Sequence, residues 1–583
     1  MQYARYALPL ACFLLIAAFY TLLPDLRFCA LGPAEKSEYR LRRADAGIMA
    51  ALTLGYALIA FTGLGNTKSP QTFTDMQGRT EEITLALDGG TASHLMLFTG
   101  VGIGSYDIEY TTDGTDSYQL AHFDQSHADV LKWQDVDIDY LVTGGTIRIT
   151  GNGNVWLGEA AALTEEGAII PAVSDTAALV DEQALVPLKQ TFRNSSYFDE
   201  IYHARTAWEH LNGVNPYEIT HPPLGKLIIG LGIALFGMTP FGWRFSGTLF
   251  GVLMLPILYV LAKKLFGGRT APAACTALMA TDFMHFVQTR IATIDTYAVF
   301  FILLMYLFMY LFLSEGRLRD LALCGVSFGL GAASKWTCFY AGSGLALLWV
   351  FWVVREVRTG RLDLAGFVKN ALFCVVFFVL IPAAIYYLSY IPYGIAEGKR
   401  NVLSADYFRI VRDNQLYMFR YHSGLVATHP YSSHWYQWIL DIRPILYYLE
   451  YLPDGRHIGF GAFVNPVLCW GGLLALFVLG YLAVARRDAA SAFILLGYLA
   501  QLLPWVLVPR LTFAYHYFPC TVFLALAIGR CFDLLVRNTP RGKAAAWAFA
   551  ELSLAVFVLF YPCLAGLPVA KGILRSWLPT WPF

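Results

Sequence analysis

The sequence predicts a polytopic α-helical membrane protein into which one water-facing β-sandwich has been inserted. Three observations lead there. Of 583 residues, 57% are hydrophobic and only 14% charged, where soluble domains carry roughly a quarter charged. The apolar residues gather into runs that reach the roughly 20 helical residues a hydrocarbon core requires. Charge is also partitioned. Residues 70–190 hold 19 acidic side chains against 4 basic ones, leaving 23 against 38 elsewhere, although the whole chain balances at 42 of each. That zero balance removes any whole-chain case for nucleic-acid binding.

About twelve transmembrane helices are expected, near 6–24, 46–64, 243–263, 271–288, 292–313, 319–334, 337–355, 366–390, 460–484, 489–508, 512–534 and 545–567. The short connections test this through the positive-inside bias. Arg40, Arg42 and Arg43 follow the first span, Lys263, Lys264 and Arg269 the third, and Arg317 and Arg319 the fifth. Arg355, Arg358 and Arg361 follow the seventh, Arg486 and Arg487 the ninth, and Arg537, Arg541 and Lys543 the eleventh. Every second connection is basic, which puts the acidic module, the segment after it and the loop 392–458 on the extracytoplasmic side. The first run has no convincing small-x-small cleavage site and reads as a retained span. The run Leu224–Phe236 is short and carries Lys226; it is expected to lie in the interface as an amphipathic helix.

The resulting organisation is two N-terminal spans in 1–68, the β module in 69–190, a membrane core with interfacial helices in 191–391, a cap loop in 392–458 and a four-helix region in 459–583. Within the module, the segments 83–87, 107–111, 138–142 and 146–150 are short, rich in β-branched and aromatic residues, and separated by turns such as Asp88-Gly89-Gly90 and Gly144-Gly145, the pattern of a β-sandwich, and the stretch 106–114 resembles a strand and turn of discoidin-like jelly-roll modules. The ten cysteines lie mostly in apolar runs, with no CxxC spacing and none in the module, so neither a zinc site nor a disulfide framework is indicated.

Residues able to carry chemistry cluster on the outer side. Asp199-Glu200 sits between aromatics just outside the membrane. Partial desolvation makes such a carboxylate a better base once ionised, although an acid pair also commonly opens a surface helix. His221-Pro222-Pro223-Leu224-Gly225-Lys226 directs the chain into the interfacial helix and brings Lys226 to the lipid phosphate level, where snorkelling is the plain alternative. The stretch from Asp282 through Arg290 to Asp295 allows either a structural ion pair or an arginine fork for a phosphate. Ser334-Lys335-Trp336 and Arg510 to Tyr517, with Tyr515 and His516, follow. The cations Lys226, Arg290, Lys335 and Arg510 all fall where positive charge is disfavoured, which an aromatic belt does not explain and a bound anion does. The cap holds His429 to Trp438, including His434 and Trp435, then Asp441 to Tyr448; these are the materials of a sugar or peptide cleft, or of a re-entrant cap packed on the spans. Asp135-Val136-Asp137-Ile138-Asp139 has metal-diphosphate spacing but alternates with period two, so its acids should point out from one strand face.

In this order the motifs resemble the protein O-mannosyltransferases of glycosyltransferase family 39 in their bacterial form, over about residues 195–570. The resemblance implies a GT-C membrane fold and a polyprenyl-phosphate sugar donor, with inverting transfer, of mannose in the first instance, to Ser or Thr of exported proteins at a bacterial plasma membrane. It also implies Asp199 as base, Glu200 as a substrate contact and Arg290 as a phosphate contact. With the lipid phosphate as leaving group, no cofactor or metal is required. Two features depart from the family: a second span before the acidic pair, and the inserted module. Alternative readings are the same donor chemistry on a lipid or cell-surface glycan, a non-enzymatic lipid or solute transporter, and a non-catalytic carbohydrate-binding protein.

Overall fold

The computed structural model describes residues 6–31, 35–112, 114, 116–570 and 577–582. The chain forms two compact units, one of Met1–Thr62, Ile219–Lys226 and Gly247–Phe583, the other of Gly63–Glu218 and Leu227–Ser246.

The first unit is helical. Among the described residues, nine helices of the chain are long and apolar enough to cross a membrane, fewer than the twelve spans expected. The run at 6–24 forms only Ala7–Thr21 and that at 319–334 forms the 17-residue Leu318–Ser334. The run at 271–288 is divided into Thr270–Ala280 and Phe283–Thr289. Asp282 causes the division: its carboxylate accepts the His285 N–H at 3.0 Å and so caps a new helix, a geometry that ends one helix and starts the next. The ninth expected span begins late, because residues 456–462 are in a strand and the helix Pro466–Ala485 starts only at the Asn465 cap. Leu224–Phe236 is a helix of 13 residues, about 20 Å at 1.5 Å per residue and short of the roughly 30 Å core. It buries Lys226, Ile228 and Ile229 and exposes Leu231, Leu235 and Phe236.

The region 392–458 is more ordered than a loop. It holds the helices Ala405–Gly424 and Trp435–Ile439 and most of a hairpin, Ile445–Tyr451 with Arg456–Ala462.

The second unit contains the β module. Its strands are β1 (Thr74–Asp75), β2 (Thr80–Leu85), β3 (Thr91–Thr111), β4 (Tyr118–Gln125), β5 (Lys132–Thr143), β6 (Thr146–Leu163) and β7 (Ala172–Ser174). All pairings are antiparallel, with β4-β3-β6-β2-β7 as the main path. The long strands β3 and β6 run side by side from His94 opposite Leu163 to Thr111 opposite Thr146. The first half of β3 pairs with β5 and the second with β4, so all seven strands belong to one sheet. The register of β3 with β6 breaks between Phe98 and Gly102. There Gly102 has φ +98°, and a Cβ on it would meet the Asn154 carbonyl oxygen at 1.7 Å; only glycine fits. Leu95, Leu97, Tyr106, Ile108, Leu120, Val136, Ile147, Ile149 and Leu157 belong to one buried apolar core. Asp135, Asp137 and Asp139 are exposed while Val136 between them is buried, as the period of two dictates.

Candidate functional site

In the helical unit, the turn after Arg290 leads into the helix Asp295–Glu315, and Ser334 ends the helix Leu318–Ser334. These two ends place Asp295 against Lys335, whose Nζ donates to the carboxylate at 2.6 Å with both side chains almost wholly buried. The Tyr515 ring lies 5.6 Å from the same Nζ. His516 stacks on Tyr515 at 4.6 Å and on Trp438 at 5.9 Å, with Trp505 at 4.3 Å. The cap is tied to this layer from both sides, since Ser433 N–H donates to the Thr512 carbonyl at 2.9 Å and Thr512 Oγ1 returns a bond to the Ser433 carbonyl at 2.7 Å.

Trp336 continues the cluster. Its indole donates to Tyr386 Oη at 3.0 Å, Tyr386 donates to Gln415 Oε1 at 2.7 Å, and Gln415 donates to Tyr390 Oη at 2.8 Å. Tyr390 then donates to Asn414, which donates to the Ile219 carbonyl at 2.9 Å. This relay binds the outer helix Ala405–Gly424 to the His221-Pro222-Pro223 turn. His422 of that helix lies 5.2 Å from His221 and 6.1 Å from Trp336, and its Nε2 bonds the Thr220 carbonyl at 2.8 Å. Lys226 Nζ donates to the His221 carbonyl at 2.9 Å.

The charges that bear on His422 are all positive. Burial, with the charges of His221, Arg510 and Lys335 added, pushes the His422 pKa down to about 4. Lys335 is balanced by Asp295, whereas Arg510 makes no hydrogen bond or ion pair among the described residues. A guanidinium left over beside an ion pair and two imidazoles is suited to hold a phosphate.

Other expected residues have different surroundings. Asp282 is fully buried, and besides His285 N–H it accepts Asn465 N–H at 3.0 Å; it organises the helix break, and the ion pair in this stretch is Asp295 with Lys335. Arg290 donates from Nη2 to the Thr62 carbonyl at 2.8 Å and lies over the Phe286 ring at 4.6 Å. His434 stacks on Tyr436 and Trp435 meets the same ring edge-on, so the cap residue that joins the His516 layer is Trp438. Sequence reading missed Asn414, Gln415 and His422; the Ser404 cap and the amphipathic run after it signalled their helix. Asp441, which opens the second cap stretch, is buried at a left-handed φ of +55° and accepts Val464 N–H at 3.2 Å.

The other unit carries Asp199 and Glu200. Phe198 takes a left-handed φ of +49°, turning the chain so that half-buried Asp199 stands at the start of the helix Glu200–Asn212. Glu200 is fully buried and grips Arg244 through two bonds of 2.7 Å. Arg244 also donates to the Leu64 carbonyl at 2.8 Å and the Ser195 carbonyl at 3.1 Å. The β module braces the same segment. Trp133 N–H donates to Ser195 Oγ at 3.1 Å, Ser196 Oγ donates to the Val130 carbonyl at 2.8 Å, and His127 Nδ1 lies 3.1 Å from the Arg205 guanidinium. Arg205 is paired with Glu209 at 2.7 Å. Both oxygens of Glu200 are therefore committed to Arg244. Among the described residues, the only acidic or His/Cys group compact enough to hold a metal ion is Glu159, Asp181 and Glu182 in the module.

Comparison with known proteins bears on these features. Residues 220–387 match the family described as dolichyl-phosphate-mannose-protein mannosyltransferase, and residues 408–581 match the C-terminal four-transmembrane region of protein O-mannosyltransferase. The polyprenol-phosphate-mannose--protein mannosyltransferase of Mycobacterium tuberculosis is 27% identical over 452 residues, 66% of this chain and 86% of its own length. The protein of that name from Mycolicibacterium smegmatis is 28% identical over 450 residues, 66% and 87% of the two chains. The Saccharomyces cerevisiae protein O-mannosyltransferase Pmt1-Pmt2 complex bound to the sugar donor superposes with a TM-score of 0.59 at 14% identity, covering 67% of this chain and 90% of that one.

Proposed function

We propose, from the premise that this chain belongs to the protein O-mannosyltransferase family and has its GT-C membrane fold, that it transfers mannose from a polyprenyl-phosphate donor to Ser or Thr hydroxyls of exported proteins. The observation that carries the reading is Arg510, unpaired among the described residues, beside the Lys335–Asp295 ion pair and the neutral His422. In this reading Lys335 and Arg510 hold the donor phosphate, with Arg290 and Lys226 as further contacts. As the glycosidic bond breaks, charge grows on the phosphate, and cations already in place stabilise it without reorganisation. Asp199 takes the proton of the acceptor hydroxyl while that oxygen attacks the anomeric carbon from the opposite face, giving inversion through an oxocarbenium-like transition state. Glu200 acts through Arg244 to fix where Asp199 stands. The ring faces of Trp336, Tyr515 and Trp438 offer stacking surfaces for the sugar.

The reaction face is extracytoplasmic at a bacterial plasma membrane, the side to which alternation of basic connections assigns these residues. The test is Asp199→Asn in membranes supplied with labelled polyprenyl-phosphate mannose and a Ser/Thr-rich peptide. Transfer is expected to vanish while donor binding persists; turnover at the unaltered rate would remove Asp199 from the chemistry.

A further inference from the structure

The helix Cys338–Arg358 begins beside Lys335 and ends 20 residues later, about 30 Å away at 1.5 Å per residue. Its far end therefore lies at the opposite leaflet from the cationic cluster. There it borders a cavity of about 980 Å³ lined by Tyr310, Leu348, Phe351, Trp352, Phe493 and Leu496. The cleft is open because the start of the facing helix Ala489–Leu502 contributes only small side chains, Ala489, Ala490 and Ala492. Its mouth is charged. Arg355 and Arg361 each hold Glu356 at 2.8 Å, and both guanidinium groups remain more than half exposed. Two cations thus share one carboxylate, leaving one net positive charge over an apolar cleft. Asp488, the acid that caps the facing helix, does not offset it, since Arg530 already pairs with Asp488 at 2.9 Å.

We propose that this cleft is a binding site for an anionic phospholipid of the leaflet opposite the reaction face, its acyl chain among Phe351, Trp352, Phe493 and Leu496 and its phosphate on Arg355 and Arg361. The chemistry is complementary on both counts. An acyl chain gains by covering the aromatic walls, and a phosphodiester accepts the guanidinium donors that Glu356 leaves open. A zwitterionic lipid brings its own cation to the same mouth and gains less. The site stands apart from the donor phosphate cluster, and the inference does not depend on the transfer reaction.

The test uses the full-length protein in nanodiscs containing equal phosphatidylglycerol and phosphatidylcholine, with retained lipids counted by native mass spectrometry after mild detergent extraction. The wild type is expected to keep phosphatidylglycerol in preference. Arg355→Gln with Arg361→Gln should retain about tenfold less of it, equivalent to about 1.4 kcal/mol, with phosphatidylcholine unchanged. Glu356→Gln raises the net charge at the mouth and should retain more, a gain that misfolding cannot produce. Ala492→Trp, which fills the cleft, should abolish the preference. Equal retention of the two lipids by the wild type, or unaltered phosphatidylglycerol retention by both the double variant and Glu356→Gln, would overturn the proposal.

Discussion

Removing Arg244 separates a positioning role for Glu200 from the direct substrate contact that the sequence suggests. Glu200 is 0% exposed and Arg244 1% exposed, and they meet through two parallel bonds of 2.7 Å. Arg244→Met leaves a buried carboxylate with no counter-charge, a loss of about 3–5 kcal/mol for such pairs. It also strips the Leu64 and Ser195 carbonyls of a donor. If the unit containing the module unfolds cooperatively, each kcal/mol lowers Tm by about 2–4 °C for a block of 150–250 residues, so the expected fall is about 6–20 °C. Glu200→Gln should destabilise similarly, because its amide presents N–H groups to a guanidinium. The double variant Glu200→Gln with Arg244→Met removes both charges and should lose less than the sum of the single losses. The assay is thermal unfolding of purified protein in nanodiscs, with transfer measured on the folded fraction. A Glu200→Gln protein that keeps the wild-type Tm yet loses transfer would refute the positioning argument and restore a direct substrate role. Strictly additive single losses would show that the two side chains are not coupled.

Lys335, His422 and Glu159 each give a further measurable expectation. Lys335→Gln should lower kcat/KM for transfer by roughly 100-fold, the scale for losing one preorganised charge at a developing anion, whereas Arg443→Gln in the cap, bonded to the Pro430 carbonyl, should change it little; a radiolabelled-donor assay reads both. Burial and the neighbouring cations hold His422 neutral down to about pH 4, while the unfolded imidazole takes a proton near pH 6.5. Stability should therefore fall as pH drops from about 6.5 towards 4, and His422→Gln should flatten that slope in pH-dependent thermal melts. Burial raises Glu159 to about pH 7, with Asp181 and Glu182 adding to the shift; its stabilising contribution is complete below about pH 4.5 and is lost as pH rises through 7. Glu159→Gln should accordingly raise Tm at pH 8 relative to the wild type and leave it nearly unchanged at pH 4.5.

What was legible in the sequence follows from the range of each interaction. The division into an acidic module and a basic membrane body is a sum over many residues, so it can be read without knowledge of packing. Cations that break the positive-inside pattern are likewise a one-dimensional anomaly, and Lys335 and Arg510 each lower the pKa of His422. Turn chemistry located strands that fall on β2, β3, β5 and β6, because Gly-rich turns are local. The division at Asp282 was hidden by hydropathy, which sees 271–288 as one run; the cap is a single hydrogen bond that outweighs the continuity of the apolar pattern. The partner of Glu200 lies 44 residues away and that of Asp295 lies 40 residues away. No spacing rule names them, since such pairs are set by tertiary packing.

The module's relation to Asp199 was equally invisible, and it changes how the insertion is understood. A spacer sandwich would touch its neighbours only through its ends. Here the β4–β5 connection and the start of β5 supply His127, Val130 and Trp133 to the segment that carries Ser195, Ser196 and Arg205. Arg244 closes the other side of that segment through Ser195 and Glu200. The left-handed turn at Phe198 is thus held from two directions. Such a conformation is costly for a bulky residue and persists only where its surroundings over-determine it. The inserted domain is therefore bonded directly to the segment that leads into Asp199 and the helix after it.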